Sequence, residues 1–479
     1  MSKPVKIVIL GGGPAGCTAA WKLSEQGYLV ELIEKDAIIG GLSSTVRKNG
    51  YIFDLGGHRF ISKDLKVLNE IKNLLGSELK PRARKSVIRL RGKYFHYPLE
   101  PLDLLMKMNP VTSLSCFADF AVTTVKNKLK TTPDISLHDW IAKRFGTSLY
   151  NIYFGPYSEK LWGVSPDKIS ADWASQRISL LNLWDVILHL FWKGRDKPVT
   201  YATRYLYPER GIGQICERMA EIIQENRGRI YTEMRVTRLQ IKDGKVIKII
   251  GESKTGIHEF EADFFLSTIP LPELLLSLEP TIPESLQQTC DLLSFRSLRF
   301  LNIMIDREQI SNNNWIYIPE DRFTFFRIQE PKNWSETNTP PGKTSLILEI
   351  ACNYRDEIWN LADKTLFTRC LEDLSDLGFK LKESEIEGYF STFAQHAYPK
   401  YLIGYKQRIK DALEEISRCS NLLSFGRQGL FRYNNMDHSV KMGMVASEII
   451  MNKKSSSKLY DIGSGQEYFE TDETLKDLD

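Results

Sequence analysis

The stretch KIVILGGGPAGCTAAWKLSEQGYLVELIE, residues 6–34, decides the fold. Lys6 to Leu10 is a short β-rich run, Ala15 to Gln26 has helical spacing, and Leu29 to Ile33 is a second apolar strand closed by Glu34. Strand, helix and strand in so short a span make one βαβ unit. Gly11, Gly13 and Gly16 form GxGxxG at the strand-to-helix turn. The first glycine permits the tight turn, the second lets a pyrophosphate approach backbone, and the third lets helix and strand pack closely. The helix N-terminus offers unpaired N–H groups and partial positive charge to the phosphates. Glu34 stands where a carboxylate accepts hydrogen bonds from ribose hydroxyls, and it would repel a ribose phosphate. The stretch predicts a dinucleotide site that disfavours NADP.

Working outward, the 479 residues allow two or three lobes. A hydrophobic fraction of 42% and a charged fraction of 26% are ordinary for a globular enzyme. A net charge of +4 without a dominant basic block argues against nucleic acid as partner. The seven cysteines show no CxxC spacing, so neither a metal site nor a disulfide framework is suggested. They read as reduced, mostly buried thiols of a cytoplasmic protein. Too little precedes the first strand for a signal peptide, and no run of about 18 apolar residues suggests a membrane span. Residues 102–125 and 178–192 (ISLLNLWDVILHLFW) come closer. They read as core helices of a helical lobe, with a patch peripheral to a membrane surface as the alternative.

Further strands are expected within residues 229–247, 260–268, 301–305, 315–318, 345–350 and 422–426. Helices are expected at 366–377 and 440–451, and a polar, disordered tail after Lys453. Nucleotide-type elements thus recur at the start, middle and end, with other material inserted between them.

Gly40-Gly41-Leu42-Ser43 and Asp54-Leu55-Gly56-Gly57-His58, taken with Gly426-Arg427 near the other end, resemble the flavin-contacting segments of the FAD-binding amine-oxidase and UDP-galactopyranose mutase superfamily. The resemblance implies FAD as cofactor, held by Gly11, Gly13, Gly16, Glu34, Gly41, Leu42, Gly57, His58, Val236, Gly426, Arg427, Asn435 and Met436. It implies an α/β fold: a Rossmann-like FAD-binding domain of the GR2 type with a helical lobe and an antiparallel-sheet substrate domain. The FAD-binding domain would comprise residues 1–98, 201–285 and 416–453. The helical lobe would be 99–200, the substrate sheet 286–415, and the tail 454–479.

Tyr157-Ser158-Glu159-Lys160-Leu161-Trp162-Gly163 with Arg177 is similar to the substrate lobe of UDP-galactopyranose mutases. Phe326-Arg327-Ile328-Gln329-Glu330, Ala397-Tyr398-Pro399 and RQGLFRYNNMD at 427–437 resemble further mutase segments. By that resemblance Arg177 and Arg327 clamp a substrate diphosphate, Tyr157, Trp162, Tyr398 and Tyr433 line the substrate, and His58 lies by the flavin. Guanidinium pairs suit a diphosphate of about two negative charges. Arg296, Arg299 and Arg432 read instead as structural. The resemblance implies a nucleotide-sugar substrate in surface-polysaccharide assembly. Reduced flavin would displace the nucleotide diphosphate from the anomeric carbon, so that the sugar ring opens and recloses without net oxidation. A flavin reductant is then required.

This chain departs from the mutase pattern at Asn435, at Phe431 and over residues 400–405. Residues 53–60 (FDLGGHRF) are as close to the protoporphyrinogen-oxidase-like branch. A second expectation is therefore a flavin oxidoreductase passing hydride from a substrate C–H to an electron acceptor, with lipid-linked molecules among the candidate substrates.

Overall fold

The computed structural model describes residues 4–97, 103, 106–129, 133–177, 203–452 and 454–463. The first strand, Lys6–Leu10, is the middle of a five-stranded parallel sheet ordered Leu422–Ser424, Phe264–Ser267, Lys6–Leu10, Leu29–Ile33 and Arg229–Tyr231. Ile7 through Leu10 are fully buried, which explains an unbroken apolar run: a parallel sheet is covered on both faces. Helix Pro14–Ser24 packs against helices Gln214–Glu225 and Met436–Ile450. Four separated chain segments therefore build one nucleotide-binding layer.

Beside it lies a sheet of Gly256–Phe260, Lys245–Ser253, Arg235–Lys242 and Leu278–Glu279. Its central hairpin turns at Asp243-Gly244, both with positive φ (49° and 69°), as a two-residue turn matching the strand twist demands.

The second large layer has seven strands: Ile386–Pro399, Phe295–Ile305, Thr344–Cys352, Arg327–Gln329, Trp315–Tyr317, Ser86–Leu90 and Lys93–His96. Neighbours run antiparallel except Trp315–Tyr317 with Ser86–Leu90, which is parallel. The hairpin at 86–96, grouped by sequence with the nucleotide-binding segments, extends this sheet instead. Strand Ile386–Pro399, absent from the sequence reading, is its edge.

Among helices Pro110–Leu129, Leu137–Phe145 and Gly155–Trp162, the first joins the nucleotide-layer core through Cys116, and the other two pack with Leu298 and Phe300 of the seven-stranded sheet through Leu137, Trp140 and Leu161. The core-helix expectation for residues 102–125 holds for one face only. Ser113, Cys116 and Phe120 are buried, whereas Val111, Leu114, Val122 and Val125 are exposed. The companion stretch 178–192 lies outside the described residues. No helix among the described residues is long and apolar enough to cross a membrane. All seven cysteines are buried free thiols.

The expected tail begins too early. Ser457–Asp461 is a helix, Leu459 and Ile462 are buried in the nucleotide-layer core, and Arg432 donates to the carbonyl of Tyr460 at 2.7 Å. Apolar side chains spaced to reach the core hold this segment, whatever its overall polarity. Residues 464–479 lie outside the described residues.

Candidate active site

One cavity of about 970 Å3 runs from the glycine turn to the seven-stranded sheet and the helical lobe. Its near arm is bordered by the N-termini of two helices, through Gly13 and Pro14 of one and Asn435 and Met436 of the other. Both direct the positive end of a helix dipole at it. A Cβ built on Gly13 would meet no protein atom within 4 Å, so the turn borders open cavity where a pyrophosphate fits. Glu34 lies at the edge of this arm, its carboxylate accepting from the N–H groups of Gly12 (2.7 Å) and Asp36 (2.9 Å). Burial raises its pKa, opposed by those same bonds. Lone pairs remain for ribose hydroxyls. Gly41, Leu42, Gly57 and Val236 complete the wall. The donor set suits a dinucleotide.

The far arm centres on His58, whose Nε2 lies 3.0 Å from the carbonyl of Leu55. Burial, reinforced by the charges of Arg427 and Arg327, lowers His58 to about 4, so its imidazole is neutral at physiological pH. Arg327 donates from Nε and a terminal nitrogen to both oxygens of Glu349, each at 2.6 Å. Gln329 donates to the same carboxylate. Arg427 donates to the carbonyls of Asn434 and Ala397 and sits over the rings of Tyr433 (4.7 Å) and Tyr398 (5.8 Å). Tyr157 faces this group from the helical lobe, its ring 6.4 Å from that of Tyr317. Lys160, one turn on, donates to the carbonyls of Glu320 (2.7 Å) and Phe325 (2.8 Å). It thereby ties the helix carrying Tyr157 to the loop leading into Arg327.

The family model described as flavin containing amine oxidoreductase matches residues 14–425. The chain belongs to that family. As a member of that family it is a flavin-dependent enzyme, and a flavin seated by its phosphates on a dinucleotide turn is FAD. A crystal structure of reduced UDP-galactopyranose mutase superposes with a TM-score of 0.83 at 23% identity, covering 97% of each chain. The coproporphyrinogen III oxidase of Bacillus subtilis is 23% identical over 440 residues, 86% of this chain and 90% of that protein. A Klebsiella pneumoniae protein named probable UDP-galactopyranose mutase is 28% identical over 170 residues, 34% of this chain and 43% of its own length. That match spans less than half of the relative.

Within this flavoenzyme three sequence expectations change. Trp162, expected beside the substrate, is fully buried and absent from the cavity wall; its ring lies behind Trp173, Tyr398 and Tyr433, at 5.4, 6.0 and 6.1 Å. Gly16 and Gly426 do not border the cavity either. A Cβ on Gly16 would stand 2.0 Å from the carbonyl oxygen of Gly11, and one on Gly426 2.9 Å from the Cβ of Ala15; both glycines serve close packing, the role expected of the third glycine of GxGxxG, and what changes is their place among the residues that hold the cofactor. Arg327, read as an open clamp, is half of a buried ion pair. Arg177 ends helix Ala171–Arg177; its side chain is outside the described residues. Arg296, Arg299 and Arg432 are held by the carbonyl of Leu161, by Asp363 and by the carbonyl of Tyr460 respectively. The sequence reading missed Glu349, whose signal was a lone carboxylate inside the apolar run at 346–350. It also missed Tyr317, Trp173 and Tyr97, which carried none.

Behind the loop bearing His58, Asp54 accepts from Thr45 (2.6 Å), Tyr207 (2.6 Å) and the N–H of Ile212 (3.1 Å). Burial still lifts it from 3.8 to about 6. A carboxyl raised on folding adds stability below its unfolded value and loses it as pH rises through the folded one. Two units correspond to about 3 kcal/mol. Urea unfolding of wild type and Asp54→Asn at pH 4.5 and 7.5 checks this. Wild type is expected to lose about 2 kcal/mol more stability across the interval, because pH 4.5 already lies above the unfolded carboxyl value. The difference between the two proteins isolates Asp54 from His58, whose lowered value acts in the opposite sense. Parallel pH profiles would refute the assignment.

Proposed function

We propose that this enzyme is a mutase-like flavoenzyme acting on a nucleotide-activated sugar in surface-polysaccharide assembly. One observation carries the reading: around a neutral His58, guanidinium groups and tyrosine hydroxyls (Arg327, Arg427, Tyr157, Tyr398, Tyr433) share one cavity wall. Charge and neutral donors in that mixture suit a diphosphate joined to a polyhydroxylated ring. FAD, when bound and reduced, supplies the electron pair directed at the anomeric carbon, so a flavin reductant is the required partner. Arg327 orients the leaving diphosphate and stabilises its charge. Tyr398 and Tyr433, whose rings lie 5.2 Å apart, position the sugar, and burial keeps the phenol of Tyr398 protonated and able to donate. Glu349 is committed to Arg327, which leaves its carboxylate ill placed to act as a base.

The apolar side of the far arm, with Phe117, Phe120, Phe145, Leu149 and Phe154, favours the second reading, an oxidoreductase acting on a C–H bond of a largely apolar substrate. FAD-loaded protein separates the two when incubated anaerobically with UDP-hexoses, before and after dithionite reduction. Mutase chemistry gives a ring-isomerised sugar nucleotide only after reduction, with no acceptor consumed. Bleaching of oxidised flavin by coproporphyrinogen, without sugar isomerisation, would establish the oxidoreductase instead.

A further inference from the structure

Helix Pro110–Leu129 carries two apolar faces. One turns Ser113, Cys116 and Phe120 inward, and Cys116 and Phe117 border the apolar side of the cavity. The other holds Val111, Leu114, Ala118, Val122 and Val125, which recur at three- and four-residue steps and are all exposed. Val111, Leu114, Val122 and Val125 are each more than half exposed, as is Met106 just before the helix. Ser115 and Ala121 are the other exposed positions of this span, so the stripe is uncharged over about 21 Å. Asp119 is the one charged residue between Val111 and Val125, and it accepts from the N–H of Ser148 at 2.6 Å. Single exposed apolar residues need no explanation, but a contiguous stripe marks an interaction surface.

Both ends of the stripe are basic. The hairpin turn Arg91-Gly92-Lys93 abuts its start, where Lys93 donates to the carbonyl of Lys107 at 2.5 Å; Lys126 stands at its far end. Arg91, Lys93 and Lys126 are exposed, and Tyr94 beside them is half-exposed. The carboxylates near the hairpin are taken, Asp103 by Lys107 at 2.5 Å and Glu320 by Arg322 at 3.3 Å. A second copy of the chain would set these cations against themselves across a two-fold contact. The stripe also lacks the tryptophan, tyrosine and arginine anchors on which protein interfaces rest. A bilayer needs neither. It takes up aliphatic side chains and draws cations and an interfacial tyrosine to its headgroups. The stripe is too short to cross, so the helix lies along the surface.

We propose that this face docks the enzyme on an anionic lipid bilayer, with Val111, Leu114, Val122 and Val125 in the acyl region and Arg91, Lys93 and Lys126 at the headgroups. The apolar side of the cavity then lies one helix diameter, about 10 Å, from the lipid. The docking does not rest on the nucleotide-sugar reading.

Flotation of FAD-loaded protein with vesicles of phosphatidylcholine, or of phosphatidylcholine mixed with phosphatidylglycerol, tests this. Wild type is expected to float with the anionic vesicles, far less with the neutral ones, and to be released by high salt. Leu114→Gln/Val122→Gln/Val125→Gln should bind anionic vesicles about 10- to 100-fold more weakly while keeping the wild-type melting temperature and flavin spectrum. Arg91→Gln/Lys93→Gln/Lys126→Gln should lose about fivefold for each cation removed. Failure of wild type to bind either vesicle overturns the docking face, as does binding that neither variant weakens. A stripe variant that melts well below wild type shows that the chain itself covers the face, and a dimer that the stripe variant abolishes gives it to a second copy. Either result overturns the bilayer.

Discussion

Arg327→Ala is expected to destabilise the FAD-loaded protein by about 3–5 kcal/mol, more than a surface arginine could. Glu349 is fully buried, and both its oxygens accept from Arg327 at 2.6 Å. Deleting the guanidinium leaves a carboxylate in the protein interior with Gln329 as its remaining side-chain donor. Arg327→Ala/Glu349→Gln should recover most of the loss, because it removes the stranded charge along with its partner. Urea unfolding of wild type, Arg327→Ala and the double variant measures the effect; equal destabilisation in both variants would show that the pair is not what matters. This reshapes the functional test as well. Loss of substrate binding in Arg327→Ala alone mixes a collapsed pair with a missing clamp, whereas the double variant reports the clamp on a neutral background.

The nucleotide-binding layer was legible in the sequence because its signals are local. Strand, turn, helix and acidic closure lie within residues 6–34, and the glycine spacing states which backbone atoms must come close. Strand Ile386–Pro399 was not legible, since polar residues interrupt its alternation and its partner, Phe295–Ile305, is far away in the chain. The hairpin at 86–96 illustrates the same limit. Its turn at Arg91-Gly92 is a local feature, but its attachment to Trp315–Tyr317 is decided by tertiary packing. At the site, the motif around Tyr157 led to the correct helix, yet Trp162 on that helix turns inward while Tyr157 faces the cavity. A motif fixes the element, and the rotation of that element against its neighbours fixes which side chain meets the ligand.

Gly16→Ala and Gly13→Ala should separate the two uses of glycine in the first turn, with the larger effect at Gly16. A Cβ on Gly16 would lie 2.0 Å from the carbonyl oxygen of Gly11 and 3.2 Å from its carbon, both backbone atoms that cannot rotate aside. Helix Pro14–Ser24 cannot retreat to make room. At Gly443 a Cβ would already meet the carbonyl oxygen of Ala15 at 2.4 Å and the Cβ of Thr18 at 2.6 Å, so helix Met436–Ile450 holds it from behind. Overpacking of this kind costs roughly 3 kcal/mol or more and moves the helix N-terminus away from the phosphates. Gly16→Ala should therefore melt earlier as apoprotein and lose its yellow colour on desalting. Gly13 has an ordinary φ of −76°, and a methyl there meets no protein atom within 4 Å. Gly13→Ala apoprotein should melt like wild type yet retain FAD poorly, because its methyl occupies the approach to the pyrophosphate. Apoprotein melting curves and the ratio of flavin to protein absorbance after desalting distinguish the two. A Gly16→Ala protein that melts and retains flavin like wild type would mean that this turn does not set the distance between helix and phosphate.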